Sequence, residues 1–111
     1  MIILVTSDVM RGFNDLIILS ILADSDSYGY HISNKIKELT NGEYIMKETT
    51  LYSAFARLEK KECIRSYSSK ETFGKPRTYY TLTPLGKTIL KEKKIEWTNV
   101  TTIVEKFVNL T

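Results

Sequence analysis

Between Lys47 and Gly86 the hydrophobic period of this chain changes twice. Leu51, Phe55 and Leu58 stand at i, i+4 and i+7, the spacing that lines apolar side chains along one side of a helix. From Ile64 the pattern turns to short β-branched and aromatic runs at 64–68 and 78–82, the composition of strands. The segment 69–77 between them, SKETFGKPR, is too long for a tight turn and is predicted to project. At Thr83-Pro84 helical signals return, with Thr suited to the N-cap and Pro to the first helical position. A helix that runs at once into a basic-tipped hairpin, and then into another helix, leaves few architectures open. At 111 residues the chain has room for one domain with one modest core.

The flanking segments narrow the choice. Residues 8–23 are predicted as helix one. Phe13, Leu16, Ile17, Leu19, Ile21 and Leu22 cover too wide an arc for a surface helix, so this one is expected to be buried on more than one side. The polar run 24–27 breaks it. Helix two is predicted over 28–39, with Ile32, Ile36 and Leu39 on its apolar face and Asn41-Gly42 as a left-handed stop. Helix three spans 49–61, capped by Glu48 or Thr49. The last helix runs from Pro84 to about residue 109. From Trp97 through Val100, Val104 and Phe107 its apolar steps are 3, 4, 3, the spacing of a helix–helix seam, widened by Ile89, Ile103 and Val108. The order α-α-α-β-β-α predicts a mainly α fold with a small β wing. Residues 1–83 would form a winged helix-turn-helix DNA-binding domain, with 1–9 as an N-terminal extension. Residues 84–111 would form a C-terminal dimerisation helix. An apolar stripe with little left in the chain to cover it predicts a homodimer.

Charge is more informative locally than globally. The net charge is +3, but Lys47 to Arg77 holds eight basic and four acidic residues, so the rest of the chain is slightly acidic. Such a local positive field suits a docking face. On helix three, Thr50, Ser53, Ala54, Arg57 and Lys61 are expected to face outward, with Thr49 at its start and Tyr52 beside the apolar stripe. Small polar side chains let a helix approach base edges, and Arg is the commonest reader of guanine. Thr49, Thr50, Tyr52, Ser53 and Arg57 are therefore candidate contacts to double-stranded DNA. Tyr52 fits equally as the edge of the core. Lys75 and Arg77 at the hairpin tip would meet phosphates or a narrow minor groove. The helix dipole alone would justify Lys60-Lys61.

Other chemistries lack parts. His31 is the only histidine, so neither a His-based metal cluster nor a catalytic triad can be assembled. Cys63 is the only cysteine; it excludes an intramolecular disulfide and is expected to pack in the core. There is no Gly-rich phosphate loop and no carboxylate pair placed for acid–base work. These gaps argue against an enzyme, a cofactor or a metal. The run MIILV is too short for a membrane span or a signal peptide, and a lone thiol fits a cytoplasmic protein. Trp97, Val100 and Val104 are candidate seam residues. Trp97 fits either a dimer packing anchor or a stacking wall for a planar aromatic effector.

Several short motifs together resemble the PadR family of winged-helix transcriptional regulators. Arg11-Gly12-Phe13 with Asp15 to Leu19 is similar to the family's opening helix, and Tyr28-Gly29-Tyr30-His31-Ile32 to its second-helix signature. Thr50-Leu51-Tyr52 with Leu58-Glu59 resembles the recognition helix. Gly74, Arg77, Tyr79-Tyr80 and Leu82-Thr83-Pro84-Leu85-Gly86 resemble the wing and its exit. The likeness covers roughly residues 10–90. It implies a homodimeric, cytoplasmic repressor that binds an inverted-repeat operator and releases it on meeting a small molecule. It also implies dimerisation through a single C-terminal helix, with Trp97 beside any planar aromatic effector. One position departs from the pattern: Glu62 stands where the family commonly has Gly. In a left-handed conformation a non-Gly residue there costs about 1 kcal/mol. Cys63 likewise stands where the family usually has a larger residue. A different class of function remains open from sequence, a winged-helix protein–protein interaction module without DNA function.

Overall fold

A computed structural model of the protein describes residues 5–69 and 76–111. The elements are α1 (Ser7–Met10), α2 (Asn14–Asp24), β1 (Ser27–Tyr28), α3 (Gly29–Leu39), α4 (Glu48–Lys60), β2 (Ile64–Ser69), β3 (Arg77–Leu82) and α5 (Pro84–Val108). The result is a mostly helical winged helix with a small antiparallel sheet.

The single helix expected over 8–23 is two. Thr6 caps α1 by accepting from the Val9 amide at 3.3 Å, but the chain tightens one turn later. The Phe13 amide reaches back only three residues, to the Met10 carbonyl at 2.8 Å, and Phe13 sits at φ −117°, ψ −6°, off helical geometry. α2 then starts afresh. Ile18, Leu19, Ile21 and Leu22 are buried and Leu16 and Ile17 half-buried, so α2 is enclosed on most sides, as the width of its apolar arc requires.

The sheet has three strands in the order β1-β3-β2. β2 and β3 pair from Ile64↔Leu82 to Ser69↔Arg77, and β1 adds Ser27↔Tyr80 and Tyr28↔Tyr79. A two-strand wing was expected. β1 is only two residues long and lies in a polar run, so no local period marks it. It stitches the wing's base to the start of α3.

Both α3 and α4 end in the same left-handed turn. After α3, Asn41 lies at φ 52°. The Gly42 amide reaches the Lys37 carbonyl at 2.9 Å, and the Asn41 amide reaches Glu38 at 3.2 Å. After α4, Glu62 lies at φ 62°, with Cys63 bonded to Leu58 and Glu62 to Glu59, each at 2.9 Å. These paired bonds satisfy carbonyls that a helix end would leave open. Leu39, expected in the core, is exposed, whereas Ile36 in the same last turn of α3 is buried. Lys47, not Glu48 or Thr49, holds the N-cap position of α4, and it makes no side-chain cap bond.

The α4–β2 turn is clamped from below. The Thr83 hydroxyl donates to the Glu62 carbonyl at 2.6 Å, lies 3.1 Å from the Cys63 carbonyl, and accepts from the Gly86 amide at 2.9 Å. A Cβ on Gly86 would stand 2.0 Å from the Cys63 carbonyl oxygen, so only Gly lets α5 begin this close to the turn. Cys63 is buried there, and burial pushes its thiol pKa up, keeping it neutral. Phe55, Ile18, Leu19, Ile32, Leu51, Leu58 and Ile64 form the centre of the core, and Leu90 is the last residue of α5 to reach it. Beyond Leu90, α5 runs on for more than four turns, about 27 Å at 1.5 Å per residue.

Candidate nucleic-acid interface

Helix α4 divides cleanly into two faces. Leu51, Ala54, Phe55 and Leu58 are buried, at i, i+3, i+4 and i+7. Thr49, Ser53, Ala56 and Lys60 therefore form the opposite stripe, and all four are exposed. Ala54, expected outside, is fully buried, and Ala56 takes its place. Counting from Leu51 and Leu58 would have placed both alanines correctly. Lys60 belongs to this stripe too. Thr50 is half-buried on the flank. The outer surface is thus small and polar, able to approach a nucleic-acid groove closely.

Aromatic contacts set the angle between α4 and the wing. Phe55 stacks on Tyr80 of β3, centroids 4.1 Å apart and 21° between planes. Tyr52 stands edge-on to Phe55 at 5.6 Å and is half-exposed. Its hydroxyl passes so close to the start of α3 that a Cβ on Gly29 would meet it at 2.8 Å. Tyr52 thus becomes one wall of a cleft of about 490 Å³, with Tyr28, Gly29, Tyr30, Arg77, Thr78 and Tyr80. The ring of Tyr52 is core edge, one of its two sequence readings, and the residue also lines the cleft.

Arg77 enters the same cleft from the wing, its guanidinium 4.3 Å from the Tyr28 ring centroid. Tyr28 also contacts Tyr79 at 5.2 Å, and Tyr79 stacks on Tyr67 at 5.7 Å. The Tyr67 hydroxyl donates to Asp26 at 2.8 Å. The outer face of the sheet is therefore a tyrosine ladder that braces the wing. It went unnoticed in sequence because its members are brought together by the β1–β3–β2 order. His31 is exposed and lies 2.6 Å from the Ser27 hydroxyl through Nδ1. Lys75 lies outside the described residues.

Arg57 is placed differently from Thr49, Tyr52 and Ser53. It turns toward α2, where Nε donates to Asp15 at 3.2 Å and Nη2 donates to the other oxygen of the same carboxylate. Its pKa is raised, chiefly by that hydrogen bond. The side chain of Asp15 is only 17% exposed against 44% for Arg57, so the carboxylate is the sheltered partner. Asp15 was not a sequence candidate. Nothing in a one-dimensional pattern joins positions 42 residues apart.

The seam candidates lie on the far stretch of α5. Trp97, Val100 and Val104 are each between 40% and 49% exposed, and Ile103, Phe107 and Val108 extend the same uncovered stripe. Trp97 is not wholly free: Phe13 stands edge-on to it at 5.2 Å and 84°. Among the described residues, no helix is long and apolar enough to cross a membrane.

Comparison with known proteins agrees with this geometry. Residues 18–92 match the model of the transcriptional regulator PadR-like family. An uncharacterized protein from Lysinibacillus sphaericus is 45% identical over 104 residues, covering 94% of this chain and 95% of its own. A transcriptional regulator from Clostridium thermocellum superposes with a TM-score of 0.86 at 54% identity, covering 92% of this chain and 99% of that one. A PadR family transcription regulator from Clostridium difficile gives 0.76 at 40% identity, covering 87% and 99%.

Proposed function

Since this chain belongs to the PadR-like family of transcriptional regulators, which act by binding DNA and are not enzymes, we propose that it is a homodimeric repressor of an inverted-repeat operator. In this reading α4 enters the major groove, with Thr49, Thr50, Ser53 and Ala56 toward the bases. Tyr52 and Arg77 meet phosphates at the cleft beside it, and Lys75, outside the described residues, adds a further phosphate contact. Arg57, a base-reading candidate from sequence, acts here as part of the helix's mounting. Two copies pair through the α5 stripe around Trp97, Val100 and Val104. A planar aromatic effector lodged there would favour a different spacing of the two α4 helices, and so lower operator affinity.

The observation that carries the reading is the split of α4. Its inner face is used up by the core, whereas its outer stripe of Thr49, Ser53, Ala56 and Lys60 is exposed and has no packing role. What supports a reading role is that this stripe, Lys60 apart, is small and polar rather than long and charged, and stands beside the braced wing.

Binding to duplex DNA across a salt series tests the reading. The logarithm of affinity should fall steeply and linearly with the logarithm of salt concentration, one unit of slope per phosphate neutralised. A duplex selected from a random pool should carry two half-sites about 34 Å apart, one helical turn. A protein-interaction module would give a flat salt response and select no sequence. The effector claim stands apart: a planar aromatic dye must quench Trp97 and weaken binding to the selected duplex, or that part falls.

A further inference from the structure

Three consecutive residues at the start of α2 each hold a different element. Phe13 stands edge-on to Trp97 of α5. Asn14, itself buried, accepts a hydrogen bond of 2.6 Å from the Tyr44 hydroxyl, in the segment that leads into α4. Asp15 takes both donors of the Arg57 fork on α4. The first two contacts fix the post on which the third is mounted. Asp15 sits beside two anchored neighbours and is the sheltered partner of the pair, so its bond to Arg57 ties α4 to the start of α2 in addition to the core contacts of Leu51, Phe55 and Leu58. A bidentate Arg–carboxylate pair also fixes orientation, where a single ionic contact would fix only distance.

We infer that Asp15 is a positioning residue for DNA reading: it sets the rotation of α4 through Arg57, so that the Thr49–Ser53–Ala56 stripe points squarely into the groove. The inference rests on the DNA-binding reading above and deepens it. The geometry also contains a rival. If Arg57 itself read a base, Asp15 would be its competitor, sequestering it in the free protein. The two roles predict opposite signs for removal of the Asp15 charge.

The test uses the full chain, a duplex selected by the wild type from a random pool, and a scrambled duplex of the same composition. Asp15→Asn should weaken binding to the selected duplex by roughly tenfold, the effect of one disturbed base pair. Binding to the scrambled duplex should not fall, because losing a carboxylate beside Arg57 can only add to the positive field that phosphates meet. In an Arg57→Gln background, Asp15→Asn should cause no further loss, since the two residues act as one unit. Far-UV circular dichroism checks that the helices remain. Should the Asn variant unfold, Asp15→Ser, which suits a first helical turn, carries the same test. Tighter binding of either variant to the selected duplex would overturn the inference in favour of sequestration. An unchanged ratio of selected to scrambled affinity would overturn it outright. A wild type that selects no sequence would instead sink the DNA-reading itself, before any variant is made.

Discussion

Replacing Glu62 with Gly should make this protein more stable. Glu62 lies at φ 62°, the left-handed position that closes α4. That backbone costs an L-residue about 1–2 kcal/mol, from the close approach of Cβ to the following carbonyl. Glycine's greater freedom in the unfolded chain returns about 0.4–1 kcal/mol of that gain. Among the described residues the exposed Glu62 side chain makes no hydrogen bond or ion pair, so little is lost with it. Set against each other, these ranges leave about 0–1.6 kcal/mol of added stability for Glu62→Gly, centred on about 0.8 kcal/mol, which is a Tm roughly 3–5 °C higher for a domain of this size. The turn itself should survive, because its bonds run through the Cys63 and Glu62 amides and the Thr83 hydroxyl. Thermal melts followed by far-UV circular dichroism at matched protein concentration would measure the shift, matched because dimerisation makes Tm depend on concentration. DNA affinity should stay the same. An unchanged or lower Tm would refute the strain argument. A Tm rise with lost DNA binding would show that Glu62 sets the wing angle.

Further outcomes follow from the same geometry. Gly29→Ala drives a methyl group to 2.8 Å from the Tyr52 hydroxyl, so it should displace that ring and lower affinity for all duplexes several-fold in the salt-series assay, while the variant still melts cooperatively. Val104→Glu places charge in the middle of the uncovered α5 stripe and should convert a dimer to a monomer in analytical ultracentrifugation; an unaltered dimer would move the seam elsewhere. Burial raises the phenols of Tyr44 and Tyr80 above their ordinary 10.0. The folded state then holds these protons more tightly than the unfolded chain does. The stability they contribute is present in full below about pH 10 and is lost as pH rises through the raised values. Tyr44→Phe should blunt that alkaline loss in a pH series of melts. At neutral pH it should cost about 1–3 kcal/mol, because Asn14 is left buried without its donor.

What the sequence made legible was what repeats locally. Leu51, Phe55 and Leu58 announced the inner face of α4, Thr83-Pro84 announced α5, and the 3-4-3 steps from Trp97 announced its stripe. The left-handed position at Glu62 came from the resemblance alone, because the family commonly has Gly there; the backbone has it at φ 62°. Contacts between distant segments stayed hidden. β1 is too short to have a period, and only its pairing with Tyr79 and Tyr80 makes it a strand. Asn14 drew no reading from sequence, since its partner Tyr44 lies 30 residues away. Arg57 looked free because Asp15 is 42 residues away. The Ala54–Ala56 exchange was a different failure. The helical phase was available from Leu51 and Leu58, and it places Ala54 inside.

The central claim is that the exposed stripe of α4 reads the major groove in a two-fold dimer. Methylation interference on the selected duplex tests it most directly, since methyl groups on guanine N7 block the major groove alone. The account predicts two clusters of interfering guanines, symmetric about the repeat centre and one helical turn apart, both weakened together by Ser53→Lys. A single cluster, or binding indifferent to N7 methylation, would contradict it.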